Sequence, residues 1–526
     1  MTFAKVSQLD QDTSIALATI REWRNSFIHI NRIPLDVLSL IPTHLSSQRD
    51  RLYASFVCRH WRRVFIQRAE LWSKLFLSNS GDYVKTFLER AKGSVLDVIV
   101  DGRVPPSTNI LLSSNTRRMR SLDFSCDEWI TVQNFSLLHP GPFPLLHTLT
   151  IDTADMDSFS ATTLPSKPLF ASAVNLRVFR FRSKSSYSPP LSRFIFPNLV
   201  SLELSVEPSE VFHPSQLFDF LAASPMLRTV AMAIIGRISF EGVPRERVIT
   251  LPNVKSFNLV MSDGGPGYKI AAHISCPSAR STSLMYKRSA ALYTVPDEMF
   301  PAPGSWEAIV RQYARSPVEE VKFELVVTPI ILCTLTFRSA DGTLIELRFK
   351  VVDGGDRSFL PSPEMQKETL SQSARAVESH PQVANVRRLR LCHSFRFICS
   401  PDDSYIANEV GRLFRSVGPL DELTIYRCDL RPYSRFPLSL PNHHTEETVV
   451  FPPTRTLTIS HPDSPDIQFK VAVTAIVKSQ HALGMPFERL IIHRESMPVG
   501  IEERLRPWVG RLEYHCDKSD GNQDGC

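Results

Sequence analysis

Glycine is scarce, with 20 residues in 526, about half the usual share of ~7%. Phosphate-cradling loops need runs of glycine, because only a bare backbone can approach the anion closely. No P-loop, dinucleotide Gly-x-Gly-x-x-Gly or Gly-x-Ser-x-Gly word is present. Cysteine is sparse too: the nine residues are scattered from Cys58 to Cys526 and no two form a Cys-x-x-Cys pair. Neither a disulfide framework nor a zinc ribbon is expected, and reduced thiols in the cytoplasm or nucleus are. No run of eighteen apolar residues occurs, and Met1 to Asp12 lacks a basic stretch followed by an apolar core. A membrane span and a signal peptide are therefore both excluded as expectations. The net charge is only +6, and the first hundred residues carry 14 Lys and Arg against 9 Asp and Glu. That modest local excess suits an acidic protein partner better than nucleic acid, which asks for a long basic stripe. His443-His444-Thr445-Glu446-Glu447 lies in a Pro/Asn-rich stretch without a second ligand cluster at metal spacing, so no metal is expected.

Proline, by contrast, is abundant, at 39 residues. In Arg-Ile-Pro-Leu-Asp-Val-Leu-Ser-Leu-Ile-Pro-Thr-His-Leu, beginning at Arg32, Pro34 can open a helix because its missing N–H would be unpaired there anyway. Ile33, Val37, Leu38, Ile41 and Leu45 then fall on one helical stripe, which Pro42 should end or kink. From Arg51 to Gln67, Leu52, Phe56, Val57, Trp61, Val64 and Phe65 mark a second amphipathic helix, with Arg59, Arg62 and Arg63 among its outward positions. A third short helical stretch, Ala69 to Leu77, carries Leu71, Trp72, Leu75 and Leu77. Three helices in under fifty residues bury too little to be robust alone. Such a unit either docks a partner or caps a larger core with its tryptophans. Upstream, within residues 1–30, Ile15, Leu17, Ile20, Trp23 and Phe27 form a looser helical stripe, expected to pack on this unit.

The ordered blocks Ile33-Pro34, Val37-Leu38, Val57-Cys58-x-x-Trp61-Arg62 and Leu71-Trp72 resemble the F-box, over about residues 31–78. The resemblance implies docking onto a Skp-type adaptor through Ile33, Pro34, Val37, Leu38, Val57, Cys58 and Trp61, with Leu71 and Trp72 part core and part interface. On that reading Trp61 is the aromatic anchor, whose truncation costs about 2 kcal/mol or more of binding. Ile33 replaces the usual leucine and Pro42 interrupts the first helix, departures that bear on local helix geometry.

Downstream, an apolar-x-x-apolar-x-apolar strand word recurs. Its middle residues are Val98, Leu122, Leu149, Phe179, Leu202, Val230 and Phe257, and later Leu389, Leu423, Leu457, Leu490 and Leu512, at intervals of 22 to 34 residues within each run. One strand per repeat at that spacing predicts an α/β solenoid with a parallel sheet over residues 79–516. The words resemble irregular leucine-rich repeats, although the asparagine that usually follows the strand is mostly absent. Combined with the N-terminal blocks, the pattern resembles the F-box proteins abundant in basidiomycete fungi. Between about 280 and 380 the period is disturbed. Val318-Val321-Phe323 fits the word, but Ile330 to Phe337 and Thr343 to Val352, flanking Ala340-Asp341-Gly342, predict an inserted β-hairpin. The segments 263–267 and 353–363 read as flexible edges, and the polar tail 517–526 as disordered. The expected fold class is thus α+α/β: a three-helix F-box followed by a leucine-rich-repeat-like solenoid.

Alternation along each strand turns a polar row of mixed sign to the exposed face. Arg180, Arg182, Arg388, Arg390, Tyr426, Arg489 and His493 are its candidate target contacts, and the two Arg-x-Arg pairs suit a phosphate or acidic side chains. No catalytic constellation or cofactor site is present, so a non-enzymatic chain is expected. Under the resemblance the function is substrate recognition within a Skp-cullin-F-box ubiquitin ligase, which brings the cullin and RING subunits through the adaptor and an unknown protein as target. The alternatives are an adaptor-binding scaffold without ubiquitination and an enzyme hidden in residues 280–380.

Overall fold

The computed structural model describes residues 3–45, 48–77, 81–102, 104–139, 141–155, 169–183, 191–207, 211–236, 238–244, 246–262, 268–289, 318–327, 331–352, 371, 377, 385–395, 411–426, 452–460, 466–494 and 498–515. The segments 263–267, 353–363, 443–447 and 517–526 lie outside the described residues. Two compact units divide the chain: Met1–Lys184 with Arg193–Asn198, and Ser185–Ser192 with Leu199–Cys526.

The first unit opens with helices α1 (Phe3–Ser26), α2 (Leu35–Leu38), α3 (Ile41–His44), α4 (Gln48–Ala54) and α5 (Arg59–Gln67). The single helix expected from Arg51 to Gln67 is two helices. Ser55 donates its hydroxyl to the Leu52 carbonyl at 2.7 Å, and Cys58 is extended at φ −157° and ψ 174°. A serine that bonds its own helix end offers the backbone a way out of the helix. The apolar period continues in phase across the break and conceals it. The third expected helix is instead a 3-10 turn, Ala69–Trp72, that runs straight into a strand. Leu75 lies in that strand and Leu77 just beyond it, where its N–H donates to the Ile99 carbonyl at 2.9 Å; both are buried.

Strands β1 (Lys74–Phe76), β2 (Leu96–Asp101), β3 (Met119–Glu128), β4 (Thr148–Asp155) and β5 (Val178–Ser183) follow, paired in parallel in that order. Leu75, Val98, Leu122, Leu149 and Phe179 stand in register across them and are all buried. Parallel neighbours need a crossover, and the helices Gly81–Ala91 and Trp129–Leu138 supply two of them. Phe179 also packs against Phe194 and Phe196 with ring centroids 5.0 and 5.2 Å apart.

The second unit contains β6 (Ser201–Val206), β7 (Thr229–Ile235), β8 (Ile249–Thr250), β9 (Ser256–Ser262), β10 (Ile274–Ser275), β11 (Ser281–Ser289), β12 (Val318–Val327), β13 (Ile331–Ser339), β14 (Leu344–Val352), β15 (Arg388–Phe395), β16 (Leu420–Tyr426), β17 (Thr454–Ser460), β18 (Arg489–His493) and β19 (Arg511–His515). β8 and β10 form a separate parallel pair. The Asp-Gly hairpin forms between β13 and β14, with Gly342 at φ +82° and the Asp341 carboxylate accepting from the Thr343 N–H at 2.9 Å. It is not an excursion from the repeats. β12, β13 and β14 enter the sheet in reversed order, as β11-β14-β13-β12-β15, and β13 alone of these runs antiparallel. The buried row passes through them unbroken: Phe257, Thr282, Ile345, Phe337, Val321, Leu389, Leu423, Leu457 and Leu490.

Asparagines recur one residue ahead of the strand word, where the sequence reading did not look for them. Asn175 and Asn198 donate their side-chain amides to the Pro144 and Val174 carbonyls at 2.8 and 2.9 Å, and in the second unit Asn253 does the same to Pro225 at 3.1 Å. Each bond staples a turn to its counterpart in the preceding repeat. Among the described residues no helix is long and apolar enough to cross a membrane.

Two outcomes follow from this packing. Phe179→Ala empties a fully enclosed site and should lower the unfolding free energy by about 3–5 kcal/mol, read by urea denaturation. His139 lies against the Phe135 ring at 4.4 Å, and burial pushes its imidazole below the usual histidine pKa. The unfolded chain therefore binds the extra proton first, so stability present above pH ~6.5 is lost as the pH falls. Urea midpoints at pH 7.5 and 5.5 should converge in His139→Phe relative to the parent.

Candidate functional site

Pro34, extended at φ −51° and ψ 144°, caps α2 rather than occupying its first turn. The helix stops after Leu38. The Ser39 hydroxyl turns back to the Asp36 carbonyl, and Arg68 donates to that same hydroxyl at 2.7 Å, tying the helix end to the start of the 3-10 turn. Leu38 is buried. On α5, Trp61 is 7% exposed and stacks on Phe65 at 5.7 Å. Trp72 donates its indole N–H to the Phe65 carbonyl at 2.8 Å, meets the edge of Phe87 at 4.9 Å and lies under the Arg90 guanidinium at 4.4 Å. Leu71 is buried beside it in sequence.

The nine residues implied by the N-terminal resemblance therefore divide. Leu38, Trp61, Leu71 and Trp72 are interior. Val37 and Val57 are open to solvent at 47% and 61%, Pro34 is exposed, and Ile33 and Cys58 are half-buried. Trp61, the aromatic anchor under the resemblance, is buried within the chain itself. The periodicity set it on the apolar face of its helix, and that face is the one turned inward. Leu35, Leu40, Tyr53 and Phe56 are large, apolar and exposed, and the sequence reading gave none of them a docking role. Phe56 sat on the core stripe, while Leu35, Leu40 and Tyr53 lay off it. Arginines frame two of these rings: Arg49 over Tyr53 at 5.3 Å and Arg62 over Phe56 at 5.5 Å. Between α1 and the start of α5 lies a hollow of about 430 Å³ lined by Arg21, Glu22, Arg59 and His60 among others.

The sheet faces are charged. In the first unit Arg180 and Arg182 on β5 are exposed. Burial and, after it, the charge of Asp152 raise the Asp123 carboxyl, while Lys74 and Arg180 oppose the rise. In the second unit the arginines are already engaged. Arg388 meets Glu319 at 2.8 Å, and Arg390 meets Glu320 at 2.9 Å, with Arg338 at 3.7 Å on the same carboxylate. Arg489 grips Glu513 with two bonds of 2.8 and 2.7 Å and holds that carboxyl below its usual pKa. A phosphate would have to displace these carboxylates, so Arg388 and Arg390 do not form an open anion clamp. His493 stacks on His515 at 4.8 Å, and Tyr426 is half-buried. A shallow basin of about 320 Å³ lies among Glu319, Arg388, Asp421, Glu422 and Arg489.

A basic column missed by the sequence reading runs along the strand entrances of this unit. Arg228, Lys255 and Arg280 are exposed, in adjacent positions linked by backbone bonds of 2.7 and 2.9 Å, and have no ion pair among the described residues. Each stands one residue before its strand, just outside the alternating row. Among the described residues no group of three or more His, Cys, Asp or Glu side chains is arranged to hold a metal.

Residues 30–78 match the family model described as F-box-like. This stretch is an F-box-like domain. It includes α2 to α5, the 3-10 turn and β1, so the domain delivers the chain directly into the parallel sheet. No curated protein matches the chain.

The division of the F-box-like domain into interior and surface has a direct check. Trp61→Ala should destabilise the domain by about 3–5 kcal/mol, visible as faster amide exchange through α4 and α5. Val57→Asp should stay within about 0.5 kcal/mol of the parent.

Proposed function

We propose that this chain is a non-catalytic substrate-recognition subunit of a Skp-cullin-F-box ubiquitin ligase. The observation that carries the reading is the F-box-like domain itself, whose interior is filled by Leu38, Trp61, Phe65 and Trp72 while Leu35, Val37, Leu40, Phe56 and Val57 stay open to solvent. Apolar side chains of that size, with arginines beside them, form the kind of surface that a partner covers. F-box-like domains bind Skp-type adaptors. Here Pro34, Val37 and Val57 make the contact with the four exposed apolar residues missed above, Ile33 and Cys58 line it, and the two tryptophans hold the shape from behind.

The sheets hold the target. Arg180 and Arg182 in the first unit present positive charge, while in the second unit Tyr426, His493 and the engaged Arg388, Arg390 and Arg489, together with Glu319, Glu320 and Glu513, present charges of both signs. A face of that kind selects a complementary protein surface rather than a free anion. The chain needs no cofactor, because the reaction belongs to the assembled ligase. A recognition subunit contributes by raising the target's effective concentration near the ubiquitin carrier.

Co-purification with a Skp-type adaptor tests this reading. The parent chain should retain the adaptor and cullin, and Val37→Asp combined with Val57→Asp should lose both at an unchanged thermal midpoint. Adaptor without cullin would replace the ligase by a scaffold, and a folded parent that binds no adaptor would overturn the reading.

A further inference from the structure

Helix α1 presents its faces the wrong way round for a segment that packs on its own domain. Its half-buried residues are Ala18 and Asn25, and with Arg21 and Glu22 they line the hollow beside α5, where Glu22 meets Arg59 at 3.3 Å. On the opposite side Val6, Leu9, Thr13, Ala16, Ile20 and Trp23 recur at alternating steps of three and four. The stripe expected from sequence to pack on the neighbouring helices, Ile15, Leu17, Ile20, Trp23 and Phe27, is instead 48–67% exposed, and Val6 and Leu9 of the longer seam are 51% and 60% exposed. Steps of three and four average 3.5 residues, the period at which one helix winds around another with its apolar seam always facing inward. The Thr13 hydroxyl donates to the Leu9 carbonyl at 2.7 Å, so its polar group is satisfied within the helix and its methyl remains for the seam. At 1.5 Å per residue the 24 residues span about 36 Å, slightly more than three heptads.

We propose that α1 is a dimerisation helix that pairs, antiparallel, with α1 of a second copy of this chain. The flank of the seam identifies the occupant. Asp10, Leu17 and Arg24 lie seven residues apart along one side of it. Turned end for end, that flank is complementary to itself: Asp10 of each copy faces Arg24 of the other, and the two Leu17 side chains meet at the centre. A parallel pair would set Lys5 beside Asp10, but it would place Leu17 beside Asp12 and leave Arg24 opposite Thr19. Neither Asp10 nor Arg24 has an ion-pair partner among the described residues. The pairing uses residues of α1, none of them among those proposed to meet the adaptor. It would place two recognition chains in one assembly, so that a target with two binding segments is held with avidity.

Sedimentation equilibrium of the full chain from about 1 to about 100 μM, a range that exposes mass-action coupling, decides the matter. The parent should dimerise with concentration, and Leu9→Asp combined with Ile20→Asp should be monomeric throughout with the melting of the sheets unchanged. Asp10→Arg and Arg24→Asp should each weaken the dimer about tenfold or more, and the two together should restore it to within about threefold. A parent that stays monomeric, a dimer that survives the seam substitutions, or a charge swap that fails to restore association would each overturn the proposal.

Discussion

A strand in a sheet with one buried face cannot slip by one residue without turning every apolar side chain to water, and both units are organised around that constraint. Leu75, Val98, Leu122, Leu149 and Phe179 hold it in the first unit. In the second, the row from Phe257 to Leu490 crosses three strands set in reversed order without losing phase. An antiparallel hairpin can be accommodated within a parallel sheet because the period of two does not depend on strand direction. Ile345, Phe337 and Val321 fall on the buried row as neatly as the strands on either side.

The same register dictates the chemistry of the exposed side. Once the apolar residues face inward, the residues between them line up across neighbouring strands within about 5 Å of one another. Like charges at that distance repel, and in the second unit the sequence answers with alternation: Glu320 lies between Arg338 and Arg390, and Glu513 is gripped by Arg489. Among the described residues the arginines of such a face are largely paired. An exception among the described residues is the column Arg228, Lys255 and Arg280, which stands at the strand entrances, outside the alternating row.

The F-box-like domain works by the opposite division of labour. Trp61, Phe65 and Trp72 are committed to an interior, shared with the helix Gly81–Ala91 through Trp72 against Phe87 and Arg90. Aliphatic side chains, Tyr53 and Phe56 are left at the surface. A small helical domain that cannot enclose its whole apolar complement can anchor one side to a sheet and leave the other for a partner. The 3-10 turn running into β1 makes that anchoring covalent as well as packed.

Strand identity, the spacing of the repeats, the Asp-Gly turn and the ordered N-terminal blocks were all legible in the sequence, because period-two burial and turn chemistry are local properties written residue by residue. The mixed-sign row was legible for the same reason. Tertiary structure alone decided which member of an apolar stripe is core and which is surface. Trp61 and Val57 share a helical phase in the sequence, yet Ser55 and Cys58 break the helix between them, and a break that resumes in phase leaves no trace in the periodicity. It also decided that Arg388, Arg390 and Arg489 are paired, since their carboxylate partners lie on neighbouring strands 24 to 70 residues away in the chain. The outward face of α1 was decided in the same way: a stripe records that a helix has an apolar side, while the direction of that side depends on what the rest of the chain has already covered.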